Sequence, residues 1–146
     1  MKKEIADRWV KALRSGQYRQ GTDYLHNPSD GTYCCLGVLC TLYDEDAGAD
    51  NEVAGTWGDG HEILPEEIRD WADMGSEDGS VGSVLWLPGL AALNDGVAIT
   101  EKQEKVLNDL DALPDGYEPY REGGPMKVKL SFEEIANVIE AEYDQL

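Results

Sequence analysis

The stretch Cys34-Cys35-Leu36-Gly37-Val38-Leu39-Cys40-Thr41-Leu42-Tyr43 is the most apolar run in the chain, and its reading decides the fold. Leu36, Leu39, Cys40 and Tyr43 follow the i, i+3, i+4, i+7 spacing of a helix, while Cys35, Val38 and Leu42 widen the apolar stripe. A helix apolar on nearly every side has to be surrounded by other elements. The sequence therefore predicts a central buried helix over about 34–43. Gly37 inside it costs roughly 1 kcal/mol of helix propensity relative to alanine, which is tolerable where another element must pack closely.

Upstream, Ile5, Trp9, Ala12 and Leu13 recur at helical spacing and predict a helix over 3–15 ended by Gly16. A polar connection, Gln17 to Gly21, follows. Tyr24-Leu25 and Thr32-Tyr33 flank a turn-rich stretch and suggest a short hairpin, with Pro28 favouring a longer loop over a two-residue turn. Downstream, residues 44–63 read as an acidic, glycine-rich loop, and Pro65 as the first position of a short helix carrying Ile68, Trp71 and Ala72. Val84 to Leu87 reads as a strand, and Leu90 to Asn94 as a helical turn ending near Gly96. Thr100 and Gln103 form a capping box for a helix reaching Leu113, and Ser131 and Glu134 form another for the last helix. Met126 to Leu130 alternates lysine with apolar residues like an edge strand. The fold class expected is α+β: one mainly helical domain over 1–146 with a small antiparallel sheet.

Composition narrows the function. Thirty acidic residues against 12 basic ones leave a formal charge of −18, a field that excludes non-specific nucleic-acid binding and adhesion to anionic membranes. No apolar stretch approaches the roughly 20 residues of a membrane span, and Met1 to Asp7 lacks the apolar core of a signal peptide. The charge is uneven. Residues 1–21 carry six basic side chains against Glu4 and Asp7, a balance of +4 that leaves −22 on the rest. A small positive site on a negative body selects compact anions. The same side chains can equally flank an amphipathic helix and neutralise nearby carboxylates.

No catalytic motif stands out. The three cysteines, Cys34, Cys35 and Cys40, lack disulfide or zinc spacing and read as small buried apolar residues of a reducing cytosol. The Asp44 to Glu52 stretch resembles a calcium loop, but its glycine comes one position early and Gly55 replaces the bidentate glutamate. The chain is therefore expected to be no enzyme, with no metal and no cofactor. Binding is better supported. Arg8, Lys11, Arg14 and Arg19 supply cations for phosphate, Tyr18 a ring for stacking, and Gln17 and Gln20 amides for a base edge.

Trp9 to Gly21, then Tyr33 to Cys40, Leu90 to Asp95 and Phe132 to Glu140 together resemble motifs of a family of small proteins encoded in tailed-phage and prophage genomes. About 36 residues separate the last two blocks here, so this chain looks elaborated, with an insertion over about 97–127. The resemblance implies an accessory protein in the host cytoplasm that antagonises a host process, most simply defence. It implies no site residues. The leading expectation is sequestration of an anionic nucleotide signal by the seven N-terminal residues named above. The alternative is an acidic mimic of nucleic acid that blocks a host DNA- or RNA-binding defence protein. A minor structural or assembly part is the remaining reading. Direct nucleic-acid binding and membrane contact are not expected, and homo-oligomerisation is left open.

Overall fold

A helix with no polar side needs neighbours all round, and the computed structural model, which describes residues 1–48, 63–81, 87–117 and 126–146, shows how they are supplied. In chain order the elements are α1 (Lys3–Leu13), β1 (Arg19–Gln20), β2 (His26–Asn27), β3 (Thr32–Tyr33), α2 (Cys35–Ala47) and α3 (Glu66–Ala72). They continue with α4 (Leu90–Asp95), β4 (Val97–Ile99), α5 (Glu101–Asp109), β5 (Met126–Val128) and α6 (Phe132–Glu142), then a 3₁₀ turn over Tyr143–Gln145. The fold is α+β, mainly helical, with two small sheets among the described residues. None of the described helices is long and apolar enough to cross a membrane.

Every residue of α2 from Cys35 to Cys40 is buried. α1, α3 and α4 lie against this helix, and α1 packs on its other side against α6. Trp9, wholly buried on α1, donates its indole N–H to the Cys35 carbonyl at 2.9 Å and joins α1 to the first turn of α2. At Gly37 a β-carbon would lie 1.6 Å from the Leu25 carbonyl oxygen, so the close packing expected of this glycine is what the fold contains. The same carbonyl accepts the Cys34 N–H at 3.2 Å, which lays the chain before β2 across the start of α2.

β3 is the centre of the first sheet, paired parallel with β1 and antiparallel with β2. The hairpin expected from the sequence is present, but its first strand is His26–Asn27, not Tyr24-Leu25. Leu25 is fully buried, and Asn27 starts the turn: its side chain accepts the Ser29 N–H, and Gly31 closes the loop at φ +67°. β1 falls in the predicted polar connection, because two residues are too short to show alternation. The second sheet is antiparallel, with Val97 opposite Val128 and Ile99 opposite Met126. The sequence pointed to β5 but not to β4. Together with α5, these strands bring Ile99, Leu107 and Val128 of the 97–128 region into the buried core.

Several boundaries move. α1 stops at Leu13, and the Ser15 hydroxyl bonds the Ala12 carbonyl. α2 runs four residues past Tyr43 to Ala47 and ends at Gly48 in the left-handed region. Asp44 to Ala47 are thus helical, not loop, which removes the start of any calcium loop. Pro65 is the cap of α3 and not its first residue. α5 ends at Asp109, where Asp111 at φ +54° lets the Ala112 N–H bond the Leu107 carbonyl. Both capping boxes form as expected. The predicted strand from Val84 falls largely outside the described residues, as does Trp57.

The Gly37 contact yields a test. Gly37→Ala should lower stability by about 2–3 kcal/mol or more, because backbone must move to admit the methyl group, and lower Tm by about 8 °C. Gly75→Ala, with nothing within 4 Å of its β-carbon, should stay within about 0.5 kcal/mol of the parent. Thermal denaturation followed by circular dichroism compares the two.

Candidate functional site

The seven residues expected to bind a nucleotide occupy separate neighbourhoods. Arg8 donates to Asp46 at 2.7 Å and lies 3.8 Å from Glu45, tying α1 to the end of α2. Arg14 spreads its guanidinium over α6, with Nε to Glu133 at 3.0 Å, one terminal nitrogen to Glu140 at 3.0 Å and the other to Asn137 at 2.6 Å. Arg19 donates to the Asp30 carbonyl in the hairpin turn. Tyr18 meets Tyr33 edge-on with ring centres 5.4 Å apart, and its hydroxyl lies 3.0 Å from Thr41 Oγ1. Tyr33 in turn is stacked on His26 at 4.3 Å, so the aromatic rings are engaged with one another.

Gln20 is the most integrated of the seven. Its amide nitrogen donates to Asn94 Oδ1 and to the Leu130 carbonyl, both at 2.8 Å, and its oxygen accepts the Phe132 N–H at 3.0 Å. Asn94, fully buried, passes its own N–H groups to the Gly21 carbonyl and to Asp95. Such a network joins β1, α4 and the start of α6, and each member leaves its partners unsatisfied if removed. Lys11 and Gln17 are exposed, and Lys11 makes no hydrogen bond or ion pair among the described residues. The uneven charge of the sequence therefore resolves largely into intramolecular pairing.

Beside Arg14 lies a shallow cleft of about 280 Å³ lined by Leu110, Asp111, Asn137, Glu140 and Ala141. Its floor is tied together by the Asn137 side-chain N–H, which donates to the Asp111 carbonyl at 2.6 Å. Asp111 and Glu140 give this cleft an acidic lining, and Arg14 beside it already bonds Glu133 and Glu140. Such a lining repels a phosphate.

The thiols are buried and free. Burial pushes Cys35 and Cys40 well above the usual thiol range. Cys34, at the start of α2, is held below it by the Cys35 thiol and by the Gly37 and Leu36 N–H groups. Only 3% of Cys34 is exposed, so a substrate cannot reach it without local opening. No group of three metal-ligating side chains occurs among the described residues.

The exposed chemistry lies elsewhere, on α3, where the sequence suggested only helix-end electrostatics. Glu66, Glu67, Asp70 and Asp73 are all exposed, and none forms an ion pair among the described residues. Between them sits Arg69, half-buried, whose Nε is enclosed and has no hydrogen-bond partner among the described residues. An enclosed donor without an acceptor costs about 1–3 kcal/mol. Arg69 has Glu66 three positions before it and Asp73 four after, yet pairs with neither. The signal available in the sequence was that spacing, which ordinarily marks a surface ion pair.

A family model described as Domain of unknown function (DUF8296) matches residues 1–143, and the chain belongs to that family. No curated protein and no solved structure matches the chain.

Two outcomes follow from these contacts. Gln20→Ala should cost about 2–3 kcal/mol by stranding buried partners, Arg14→Ala about 1 kcal/mol, and Lys11→Ala nothing beyond about 0.5 kcal/mol. Urea denaturation ranks the three, and an unchanged midpoint for Gln20→Ala would show the network to be dispensable. In the second, the Arg8 guanidinium and then the Trp71 indole hold the Asp46 carboxyl below its ordinary value. A carboxyl depressed in the folded state contributes stability above its unfolded pKa of about 4 and loses it as the pH falls through the folded value. The stability difference between the parent and Asp46→Asn should therefore be full at neutral pH and shrink under acid, as read by denaturation at stepped pH.

Proposed function

We propose that this member of the DUF8296 family is a non-enzymatic inhibitor that presents its acidic surface, centred on α3, in place of nucleic-acid phosphates to a host nucleic-acid-binding protein. The observation that carries this reading is the disposition of charge: the N-terminal arginines are engaged by carboxylates and a carbonyl of the chain itself, while the exposed carboxylates of α3 have no ion-pair partner among the described residues. Along the helix axis, positions 66, 67 and 70 are separated by about 1.5 and 4.5 Å. That linear charge density is of the order found along one nucleic-acid strand, about one charge per 3.4 Å. The Asp44 to Asp46 stretch is a poorer candidate, since Asp44 is buried and Arg8 pairs with Asp46 and lies 3.8 Å from Glu45.

Sequestration of an anionic nucleotide has less support, because its proposed ligands are dispersed and the cleft beside Arg14 is lined by acids. The resemblance to small tailed-phage proteins supports a host-directed, cytoplasmic role, and a defence protein that binds DNA or RNA is the partner class it favours.

The test is displacement. Host DNA-binding proteins held on immobilised duplex should be released by the parent chain at low salt, with the effect lost at high salt. A Glu66→Gln, Glu67→Gln, Asp70→Asn variant, which removes charge while keeping the shape of α3, should release about tenfold less of the same protein at equal concentration. Equal release by both would sink the proposal. A thermal shift of several degrees with any nucleotide would return the weight to sequestration.

A further inference from the structure

Aspartate is followed by glycine at 30–31, 59–60, 78–79, 95–96 and 115–116, and all of these pairs except 59–60 lie among the described residues. With no β-carbon on the glycine, its main-chain nitrogen can approach the aspartate side chain before it. That nitrogen bonds to Cγ while the carboxyl hydroxyl leaves with the amide proton as water, closing a succinimide ring. Water then opens the ring at either carbonyl, returning aspartate or giving isoaspartate, whose main chain runs through the side-chain carbon. One water is lost and one regained, so no other reagent is needed. A carboxyl or a glycine N–H that is already hydrogen-bonded must first break that bond.

Three of the pairs are held in this way. The Asp30 carboxylate accepts the Thr32 N–H at 3.1 Å and its hydroxyl at 2.7 Å, while the Gly31 N–H donates to the Asn27 carbonyl at 2.8 Å. Asp78 accepts the Ser80 N–H at 3.0 Å and its hydroxyl at 2.6 Å, and the Asp78 and Gly79 carbonyls accept from Ala91 and Leu90. Asp95 accepts from the Asn94 side chain at 2.7 Å and the Asp23 N–H at 3.2 Å, and the Gly96 N–H donates to the Ala92 carbonyl at 2.9 Å. The pair at 115–116 differs. Both residues are exposed, and among the described residues neither the Asp115 carboxyl nor the Gly116 N–H has a hydrogen-bond partner. Their turn is closed by the Tyr117 N–H on the Pro114 carbonyl at 2.9 Å, with Gly116 at φ +78° and open space about it.

We infer that Asp115–Gly116 is the pair among these four at which the folded chain converts spontaneously to isoaspartate. The sequence offers the same dipeptide at each place, and the fold selects one by leaving its carboxyl and its N–H unengaged. The product keeps the mass and net charge of the parent, adds one methylene to the main chain and leaves a free α-carboxylate in the turn. The change falls beyond Ala112, the last buried residue after α5, so the core stays as it is.

Incubation of the full chain for weeks at neutral pH in water enriched in heavy oxygen tests this, because each ring opening adds one heavy oxygen atom. Peptide mapping by mass spectrometry, with fragmentation that distinguishes the two linkages, locates the label and the isoaspartate. Label at Asp115 should exceed that at Asp30, Asp78 and Asp95 by about fivefold or more, the factor set by opening a hydrogen bond of ordinary strength. In guanidinium chloride the fold's protection is gone, and the four pairs should converge. Asp115→Glu, which would have to close a larger and far slower ring, should lose the label at this position and keep the parent's Tm. Label at Asp115 no greater than at the other three in the folded chain overturns the proposal. So does an excess at Asp115 that is as large in guanidinium chloride, because the dipeptide's neighbours in sequence would then be selecting it. Absence of label from all four in both states overturns it as well.

Discussion

The backbone contact between the Leu25 carbonyl and the start of α2 is the constraint on which the rest of the structure depends. At Gly37 a side chain of any size would meet that oxygen, while the Cys34 N–H donates to it from the same turn. The chain before β2 is thereby pressed onto the helix at backbone distance. That placement buries Leu25 completely and sets β3 immediately before α2. β1 pairs parallel with β3, so the end of α1 is carried to the same place. Trp9 then reaches the Cys35 carbonyl from α1. One glycine permits the approach from which the positions of a hairpin, a sheet and two helices follow.

Polar groups do the complementary work at the same end of the first sheet, where Gln20 lies in register with Tyr33. Gln20 and Asn94 bond main-chain groups at Gly21, Leu130 and Phe132 that would otherwise be buried without partners. These residues lie far apart in the chain, so the network joins its two halves at the place where α6 begins. Arg14 does the same from outside by spanning one face of α6. An arginine that fits a phosphate also fits a glutamate, since both present paired oxygens to the same planar fork. In the folded chain Arg14, whose residue type also suits a ligand phosphate, serves as an internal tie.

Net charge acquires its meaning only after this pairing. The positive N-terminal segment does not remain a positive patch, because Arg8 and Arg14 are consumed by carboxylates brought from α2 and α6. On α3, by contrast, the exposed acids have no ion-pair partner among the described residues. Under the proposed function, affinity for a basic surface comes from these acids.

The local signals were legible in the sequence. The apolar run at Cys34 to Tyr43 determined a buried central helix, and Gly37 within it a close approach. Thr100 with Gln103 and Ser131 with Glu134 marked two helix starts, because a capping box is satisfied within four residues. The hairpin around Pro28 to Gly31 was visible for the same reason, although Leu25 belongs to the core and not to the strand. What tertiary structure alone decided is pairing at a distance. β1 and β4 have only two and three residues, too few for alternation, and exist because β3 and β5 lie beside them. Gln20, Arg8 and Arg14 take partners 38 to 126 positions away in the chain. Arg69 is half-buried, which no local spacing encodes, and its Nε has no acceptor among the described residues. Sequence determines what each short segment prefers, whereas the choice of acceptor for each cation waits until the core has brought distant segments together.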